Sequence, residues 1–246
     1  MRQRKFQLEK EWCIVHYPEK PNGFAVMILG DCHHYVDEES SFWSQHETRK
    51  NIIKELTVRG YLVCYTNLYG CHWGNDKAVN LAKMLYHHVI RTEIINERFH
   101  ILADGMGGLV VEKLLPLLRD RIRSVVLYSP CLSIPVHLDF EKEQKFFYKK
   151  VLKELALAYN QSVVDCVGFF KNKNEVLCCE TIDVPICIIQ WVGSNRYVSQ
   201  FHLIKDLYLQ RMKQHKTVDL HYLLPEKSQT VSSKIIAFYE KQESIL

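Results

Sequence analysis

The chain has 246 residues, of which 47% are hydrophobic and 24% are charged, and its formal net charge is +4. These are ordinary globular values, and the length allows a large buried core, so the composition excludes a disordered or fibrous protein. The positive charge is spread along the chain without a basic tract, which gives no support for nucleic-acid binding.

Signals for targeting and oxidation are absent from the sequence. The charged N-terminal segment is not followed by an apolar run, so it does not form a signal peptide. No apolar stretch approaches the ~20 residues that a membrane helix needs. The nine cysteines are scattered, mostly inside apolar runs, and their number is odd. That pattern is typical of reduced thiols, and the sequence predicts a cytoplasmic protein.

The first half of the chain predicts strands that alternate with helices. Two short leading strands precede a turn, and the third strand is apolar without alternation, as a strand covered on both faces is. A serine is expected to cap the first helix. The predicted elements are strands 6–9, 12–17 and 24–29, a helix that begins near Ser40 or Ser41, strand 60–65 and helix 78–95.

The second half continues this alternation around one change of pattern, the region 136–183. This region holds a charged, amphipathic run over 140–159 and an irregular stretch over 168–174. Strands that alternate with helices predict a mainly parallel sheet with helices on both faces. The predicted elements outside the region are strand 99–102 with a helix to about residue 118, strands 124–128, 185–191 and 218–224, and helices 201–214 and 231–241.

The stretch from Glu97 to Leu115 carries the most informative pattern. The apolar run Phe99–Leu102 is followed by the small-residue turn Ala-Asp-Gly-Met-Gly-Gly over 103–108, and apolar residues then recur at helical spacing. Strand, tight turn and helix are the setting of the nucleophile elbow, whose motif is Gly-x-Ser-x-Gly. The serine position of the motif holds Gly105.

This stretch resembles the nucleophile elbow of the α/β-hydrolases, and the order of elements extends the resemblance over nearly the whole chain. The two leading strands match the antiparallel start of that fold, and region 136–183 lies where the fold carries its cap. The resemblance implies a single domain over 1–246. Its architecture would be a three-layer α/β sandwich, with a mostly parallel sheet, antiparallel N-terminal strands and a small cap-like insertion at about 136–183.

The resemblance also implies positions for a Ser-Asp-His triad, and this sequence fills none of them. Gly105 stands at the nucleophile position and has no side chain with which to attack. Asn195, in Gly193-Ser-Asn-Arg-Tyr-Val198, stands at the acid position and cannot stabilise an imidazolium by charge. Ser228 or Gln229 stands at the base position. The elbow is therefore degenerate, and serine-hydrolase activity is predicted to be absent.

Asp104 and Cys32 are the other candidates for a nucleophile near the elbow. Asp104 neighbours the apex, but a shift of one residue turns its side chain away from the point at which the elbow aims. It is predicted to be an exposed turn aspartate near the helix N-terminus. Cys32 lies in the loop that would supply an oxyanion amide, and it is predicted to be a buried, inert thiol.

Polar side chains are predicted to gather at the carboxyl ends of the strands, the edge at which open α/β sheets bind ligands. No stretch has a ligand spacing such as His-x-x-x-His, so no metal site is predicted. The glycines over 105–108 lack the Lys-Ser/Thr of a P-loop, and no cofactor is predicted. The candidates for the crevice are Asp31, Cys32, His33, His34, His72, Asp104, Met106 and Asn195.

Two functional hypotheses of different class follow. The first is a catalytically silent protein of the α/β-hydrolase fold, a pseudoenzyme that binds a small ligand or a protein partner at the former active-site crevice. The alternative is a hydrolase of non-serine or metal-assisted mechanism. It would use Asp31, His33, His34, His72 and Asp104. Self-association into a homo-oligomer is compatible with either hypothesis.

Overall fold

The computed structural model describes residues 2–171, 183–193 and 196–243. Eight strands form one sheet, and the third to seventh are buried along almost their whole length because helices cover both faces. The strands are β1 (Arg2–Leu8), β2 (Glu11–Tyr17), β3 (Ala25–Leu29), β4 (Leu62–Thr66), β5 (Phe99–Asp104), β6 (Ile122–Tyr128), β7 (Ile186–Trp191) and β8 (Val218–Leu223).

The sheet has the order β1-β2-β4-β3-β5-β6-β7-β8. The pairs β1/β2 and β2/β4 are antiparallel, and all the other pairs are parallel. Met27 of β3 lies opposite Cys64 on one side and Ile101 on the other, so β3 and β5 are central. The predicted parallel sheet with antiparallel N-terminal strands is confirmed.

Helices cover both faces of the sheet, which confirms the three layers. The first face packs against α3, α4 and α8, and the second packs against α1, α2 and α9. Three further helices, α5 to α7, lie between β6 and β7 in the chain. The helices are α1 (Phe42–Gln45), α2 (Glu47–Val58), α3 (Asp76–Thr92), α4 (Gly107–Leu118), α5 (Ile134–Gln144), α6 (Tyr148–Tyr159), α7 (Val163–Lys171), α8 (Phe201–Lys213) and α9 (Val231–Lys241).

The cap of α1 agrees with the prediction, and the helical insertion differs from it at two places. Ser41 caps α1 through a capping box with Ser44, as expected for a serine at this point. The predicted amphipathic run 140–159 is broken at Lys145, which adopts a left-handed conformation and separates α5 from α6. The prediction of an irregular stretch over 168–174 is wrong for residues 168–171, because they form the end of α7. Residues 172–174 lie outside the described residues.

The three helices over residues 134–171, called the helical insertion below, pack on the carboxyl edge of the sheet. Trp73 and Met106, both fully buried, belong to one apolar cluster with residues of all three helices. The insertion thus fills the space above the elbow. The insertion residues in this cluster are Ile134, Leu138, Val151, Leu152, Leu155, Ala156, Cys166 and Phe170. Within the described ranges, no helix is both long and apolar enough to cross a membrane.

Candidate functional site

The strand-to-helix turn at Gly105 has the shape of an elbow. Gly105 has φ of 55°, and it follows β5 and precedes α4. Its N–H donates to the carbonyl of Tyr128 and its carbonyl accepts from Cys131, so the turn is tied to β6 and its following loop. A Cβ on Gly107 would lie 2.1 Å from the Leu29 carbonyl oxygen, and this close approach requires glycine.

The carboxylate of Asp31 occupies the position above this turn. Asp31 Oδ1 accepts hydrogen bonds from the backbone N–H of Met106 at 3.2 Å and of Cys32 at 2.8 Å. In hydrolases with this elbow, the N–H after the nucleophile and an N–H of the loop after the third strand form the oxyanion hole. The two amides of such a hole therefore converge here on an oxygen of the protein itself.

Tyr197 completes the surroundings of Asp31. Its hydroxyl donates to Asp31 Oδ1 at 2.6 Å, and its side chain is almost fully buried. Burial and the adjacent Asp31 raise the pKa of Tyr197 well above its usual value, so the hydroxyl keeps its proton and remains a donor. Tyr197 is not among the predicted site residues, because its only signal in the sequence is its place in the loop that follows β7. Asn195, in the same loop, lies outside the described residues.

Asp104 is buried, which corrects the prediction of an exposed turn aspartate. Its side chain is 5% exposed, and its Oδ2 accepts from Arg49 Nε at 3.1 Å and Nη2 at 3.0 Å. The Arg49 guanidinium also stacks over the Tyr128 ring, 5.0 Å from its centroid. Burial raises the pKa of Asp104, while Arg49 acts in the opposite direction. This carboxylate is thus held by an arginine from α2, a contact that no local pattern predicts.

His34 and His72 are buried, and their ring nitrogens form hydrogen bonds with backbone groups and with the Trp43 indole. His34 Nδ1 accepts from the Asp31 N–H at 2.9 Å and from Trp43 Nε1 at 3.2 Å. His72 Nδ1 accepts from the Gly74 N–H, so Nε2 carries the proton and donates to the Gly30 carbonyl. Burial lowers the pKa of His34 to about 3 and that of His72 to about 4. Both rings are therefore neutral supports of their loops.

Cys32 is disulfide-bonded to Cys71, which corrects the prediction of an inert thiol and of a fully reduced chain. The physical reason is topological, because the loops that follow the neighbouring strands β3 and β4 meet at the same edge. His33 is exposed and has φ of 66°. It lies close to the two sulfurs, together with Glu154 of α6. Glu154 was not among the predicted site residues, since it lies in the insertion.

Met106 and the two base-position residues have different surroundings. Met106 is fully buried, and its sulfur accepts from the Trp73 N–H at 3.3 Å. Ser228 and Gln229 line a surface groove together with residues of α2 and α9. Asp31 and Gly105 do not line this groove. The last loop thus carries these side chains toward α2.

A groove lies on the outer side of the helical insertion. Its volume is about 560 Å³, and it lies between α5 and α6 beside the loop after β7. Phe146 is 88% exposed and Phe147 is 56% exposed, values that are unusual for phenylalanine. The lining residues are Phe140, Glu141, Gln144, Phe146, Phe147, Lys150, Val151, Glu154, Arg196 and Val198.

The chain is similar in fold to solved structures of esterases and lipases. No protein-family model and no curated protein matches it. Est1E from Butyrivibrio proteoclasticus is 12% identical, with a TM-score of 0.63 over 99% of both chains. A lipase in its open form is 10% identical, with a TM-score of 0.68 over 99% of this chain and 100% of the lipase. An alpha/beta hydrolase enzyme from a lagoon-sediment metagenome is 14% identical, with a TM-score of 0.58 over 98% of this chain and 99% of that enzyme. At these identities the similarity establishes the fold.

Proposed function

This chain has the α/β-hydrolase fold, and we propose that it uses the fold to bind a ligand and not to hydrolyse one. One observation carries the proposal: the Asp31 carboxylate accepts from both amides of the oxyanion hole. In this proposal the chain is one hydrolase-like domain. Region 136–183 is its cap, and the described residues of the cap up to Phe170 pack over the former crevice.

Acyl transfer by a serine mechanism needs a nucleophile and a site for the oxyanion. Gly105 supplies no nucleophile. The Asp31 carboxylate has the same charge as an oxyanion and already holds its two donors, so an incoming oxyanion would be repelled and left without partners. Ser228 and Gln229 face α2 and supply no base. Each of these three features opposes serine catalysis.

The alternative of a metal-assisted hydrolase receives less support from the predicted residues. His34 and His72 use their ring nitrogens on loop groups, and Asp104 is paired with Arg49. Among the side chains that the structure describes, these residues do not form a group of converging metal ligands. His33 does belong to such a group, although with different partners.

The ligand would bind in the groove between α5 and α6. Its volume of about 560 Å³ is in the range of small-molecule sites, roughly 300–1,000 Å³. Aromatic and aliphatic side chains form half of its lining, and the other half consists of Glu141, Gln144, Lys150, Glu154 and Arg196. This chemistry fits a small ligand with an aromatic or acyl body and a polar end.

Two measurements on the purified protein test the proposal. A fluorophosphonate probe should label no serine, and chromogenic esters should be hydrolysed no faster than with the heat-denatured protein. Separately, the apolar fluorophore anilinonaphthalene sulfonate should bind in the groove. The double variant Phe146→Ser/Phe147→Ser should weaken that binding at least about 10-fold.

The matched control for the groove is Val58→Ser/Ile94→Ser, at two exposed apolar residues outside it. This control should bind the fluorophore as the wild type does. Equal losses in both double variants would overturn the groove as the binding site. Stoichiometric labelling of a serine near Gly105 would overturn the loss of serine chemistry, whatever the fluorophore does.

A further inference from the structure

A second cluster of reactive side chains lies beside the elbow, and only one of its members, Glu154, also lines the groove of the proposed function. The ligand atoms of Cys32, His33, Cys71 and Glu154 all lie within 4.8 Å of one another. We propose that these four side chains bind one zinc ion when the Cys32–Cys71 disulfide is reduced. The disulfide and the zinc complex are then two alternative states of the same site.

Three separate elements bring the four side chains together. The loop after β3 supplies Cys32 and His33, the loop after β4 supplies Cys71, and α6 supplies Glu154. The Cα atoms of the two cysteines are 4.3 Å apart, so the backbone itself holds both sulfurs at one point. The site is therefore a product of the tertiary fold.

The backbone around the ligands is held in uncommon conformations. His33 has φ of 66°, and in the second loop Leu68, Tyr69 and Trp73 have φ of 50°, 63° and 46°. Left-handed conformations at bulky residues cost free energy and persist where the surrounding structure imposes them. Both cysteine-bearing loops show this feature, which is typical of a site that positions side chains.

Glu154 has one oxygen that is fixed and one that is open to a ligand. Its Oε2 accepts from Arg196 Nη2 at 2.8 Å and from Trp73 Nε1 at 3.2 Å. Its Oε1 is buried and has no hydrogen-bond partner among the described residues, and Lys150 Nζ lies 3.9 Å from it. A buried carboxylate oxygen without a partner is costly, and a metal ion would satisfy it.

The chemistry of the four ligands selects zinc. Two thiolates, one imidazole and one carboxylate form a four-coordinate set of the kind that Zn²⁺ prefers, whereas Mg²⁺ and Ca²⁺ prefer oxygen ligands. Two thiolates and the Glu154 carboxylate carry three negative charges. Zinc supplies two positive charges and Arg196, bonded to Glu154, supplies the third. These five groups are therefore electrically balanced, and the largely exposed Lys150, 3.9 Å from Glu154 Oε1, adds one positive charge beside them.

The change between the two states is a thiol–disulfide exchange. An external dithiol gives two electrons and two protons to the Cys32–Cys71 bond and becomes a disulfide, which leaves two thiols on this chain. Zinc then displaces the two thiol protons and forms two zinc–sulfur bonds. Attack of the thiolates on an external disulfide reverses these steps: the external disulfide accepts the two electrons, the Cys32–Cys71 bond forms again and the zinc is released.

The test measures zinc on the reduced and the oxidised protein. The chain is reduced with a phosphine, incubated with zinc chloride, dialysed and analysed for metal, with one zinc per chain expected. The oxidised protein should retain far less. Cobalt(II) in place of zinc should give a sulfur-to-cobalt charge-transfer band, which reports thiolate ligation directly.

Variants separate this site from nonspecific binding. Cys71→Ser should abolish the cobalt band, and His33→Ala and Glu154→Gln should each weaken zinc binding by more than about 10-fold, the least that even a supporting contact contributes. Cys166→Ala and His202→Ala are the matched controls and should bind zinc as the wild type does. Circular dichroism checks that each variant is folded. The absence of zinc on the reduced wild type, or unchanged binding in His33→Ala and Glu154→Gln together, would overturn the proposal.

Discussion

The carboxylate of Asp31 lies where the side chain of residue 105 would have to lie. An ideal Cβ on Gly105 would be 2.5 Å from Asp31 Oδ2 and 2.8 Å from Asp31 Oδ1. The two residues are therefore mutually dependent, because a serine at 105 and an aspartate at 31 cannot both keep these positions. The glycine at 105 and the Asp31 carboxylate beside the amides of Met106 and Cys32 are two aspects of one packing arrangement.

Gly105→Ser should destabilise the protein by about 3 kcal/mol, from its left-handed backbone and from overpacking against Asp31. The double variant Gly105→Ser/Asp31→Gly removes the overpacking, so the two substitutions should couple by roughly 1–3 kcal/mol. Urea unfolding of the wild type, both single variants and the double variant measures this coupling. Additive effects within about 0.5 kcal/mol would show that the two residues do not compete for space.

Asp31→Ala should leave three donors without an acceptor, namely the amides of Cys32 and Met106 and the Tyr197 hydroxyl. Each buried donor without a partner costs about 1–3 kcal/mol. We expect a total loss of roughly 2–4 kcal/mol, because water that enters the vacated space accepts from some of the three donors. Acetate should bind in the vacated hole and raise the melting temperature of this variant. It should leave the wild type unchanged. Sodium chloride at equal ionic strength is the control, and an equal acetate shift in both proteins would argue against an intact hole.

Stability should fall as the pH is lowered from about 6.5 toward 4. Burial lowers the pKa of His16, His72 and His137 to about 4 and that of His34 to about 3, below the ordinary 6.5. Below pH 6.5 these histidines bind protons in the unfolded chain, whereas in the folded chain they stay neutral until the pH reaches their lowered pKa values. The contribution of these neutral histidines to the free energy of unfolding is therefore complete above pH 6.5. It is lost as the pH falls toward their folded-state pKa values.

The slope should reach roughly 1.4 kcal/mol per pH unit for each such histidine. Urea unfolding at pH 7, 6 and 5 measures it. His72→Gln keeps a donor and an acceptor for the loop but does not titrate. It should therefore reduce the slope by roughly 1.4 kcal/mol per pH unit, the contribution of one histidine. Asp104, whose pKa is raised, opposes the trend because protonation favours its folded form. A free energy of unfolding that is flat between pH 7 and 5 would contradict the assignment of buried neutral histidines.

Arg49→Met should cost about 3–5 kcal/mol at neutral pH, because it leaves the buried Asp104 carboxylate without its partner. The loss should shrink as the pH is lowered, since the raised pKa lets Asp104 become neutral in the folded state. Adding Asp104→Asn should restore most of the stability. Urea unfolding at pH 8 and pH 5 measures both effects. The control is Arg59→Met, which breaks an exposed pair with Glu240 and should cost less than about 1 kcal/mol.

The sequence alone determined the order of the elements, the parallel sheet with its antiparallel start, and the glycine at the apex of the elbow. These properties depend on local patterns, because apolar runs, capping residues and turn residues act over a few neighbouring positions. It also identified the loops at which polar side chains gather, since the carboxyl ends of parallel strands share one edge. It could not assign those side chains their partners.

Only the tertiary structure decided what the polar residues do. Asp31 meets Met106 and Tyr197, Cys32 meets Cys71, and Asp104 meets Arg49. Each contact joins residues that are far apart in the chain, and it depends on how loops turn after their strands and on how α2 and the insertion pack. Periodicity carries no information on such geometry. An exposed turn aspartate and a free thiol were therefore reasonable local expectations, and burial between layers overrode both.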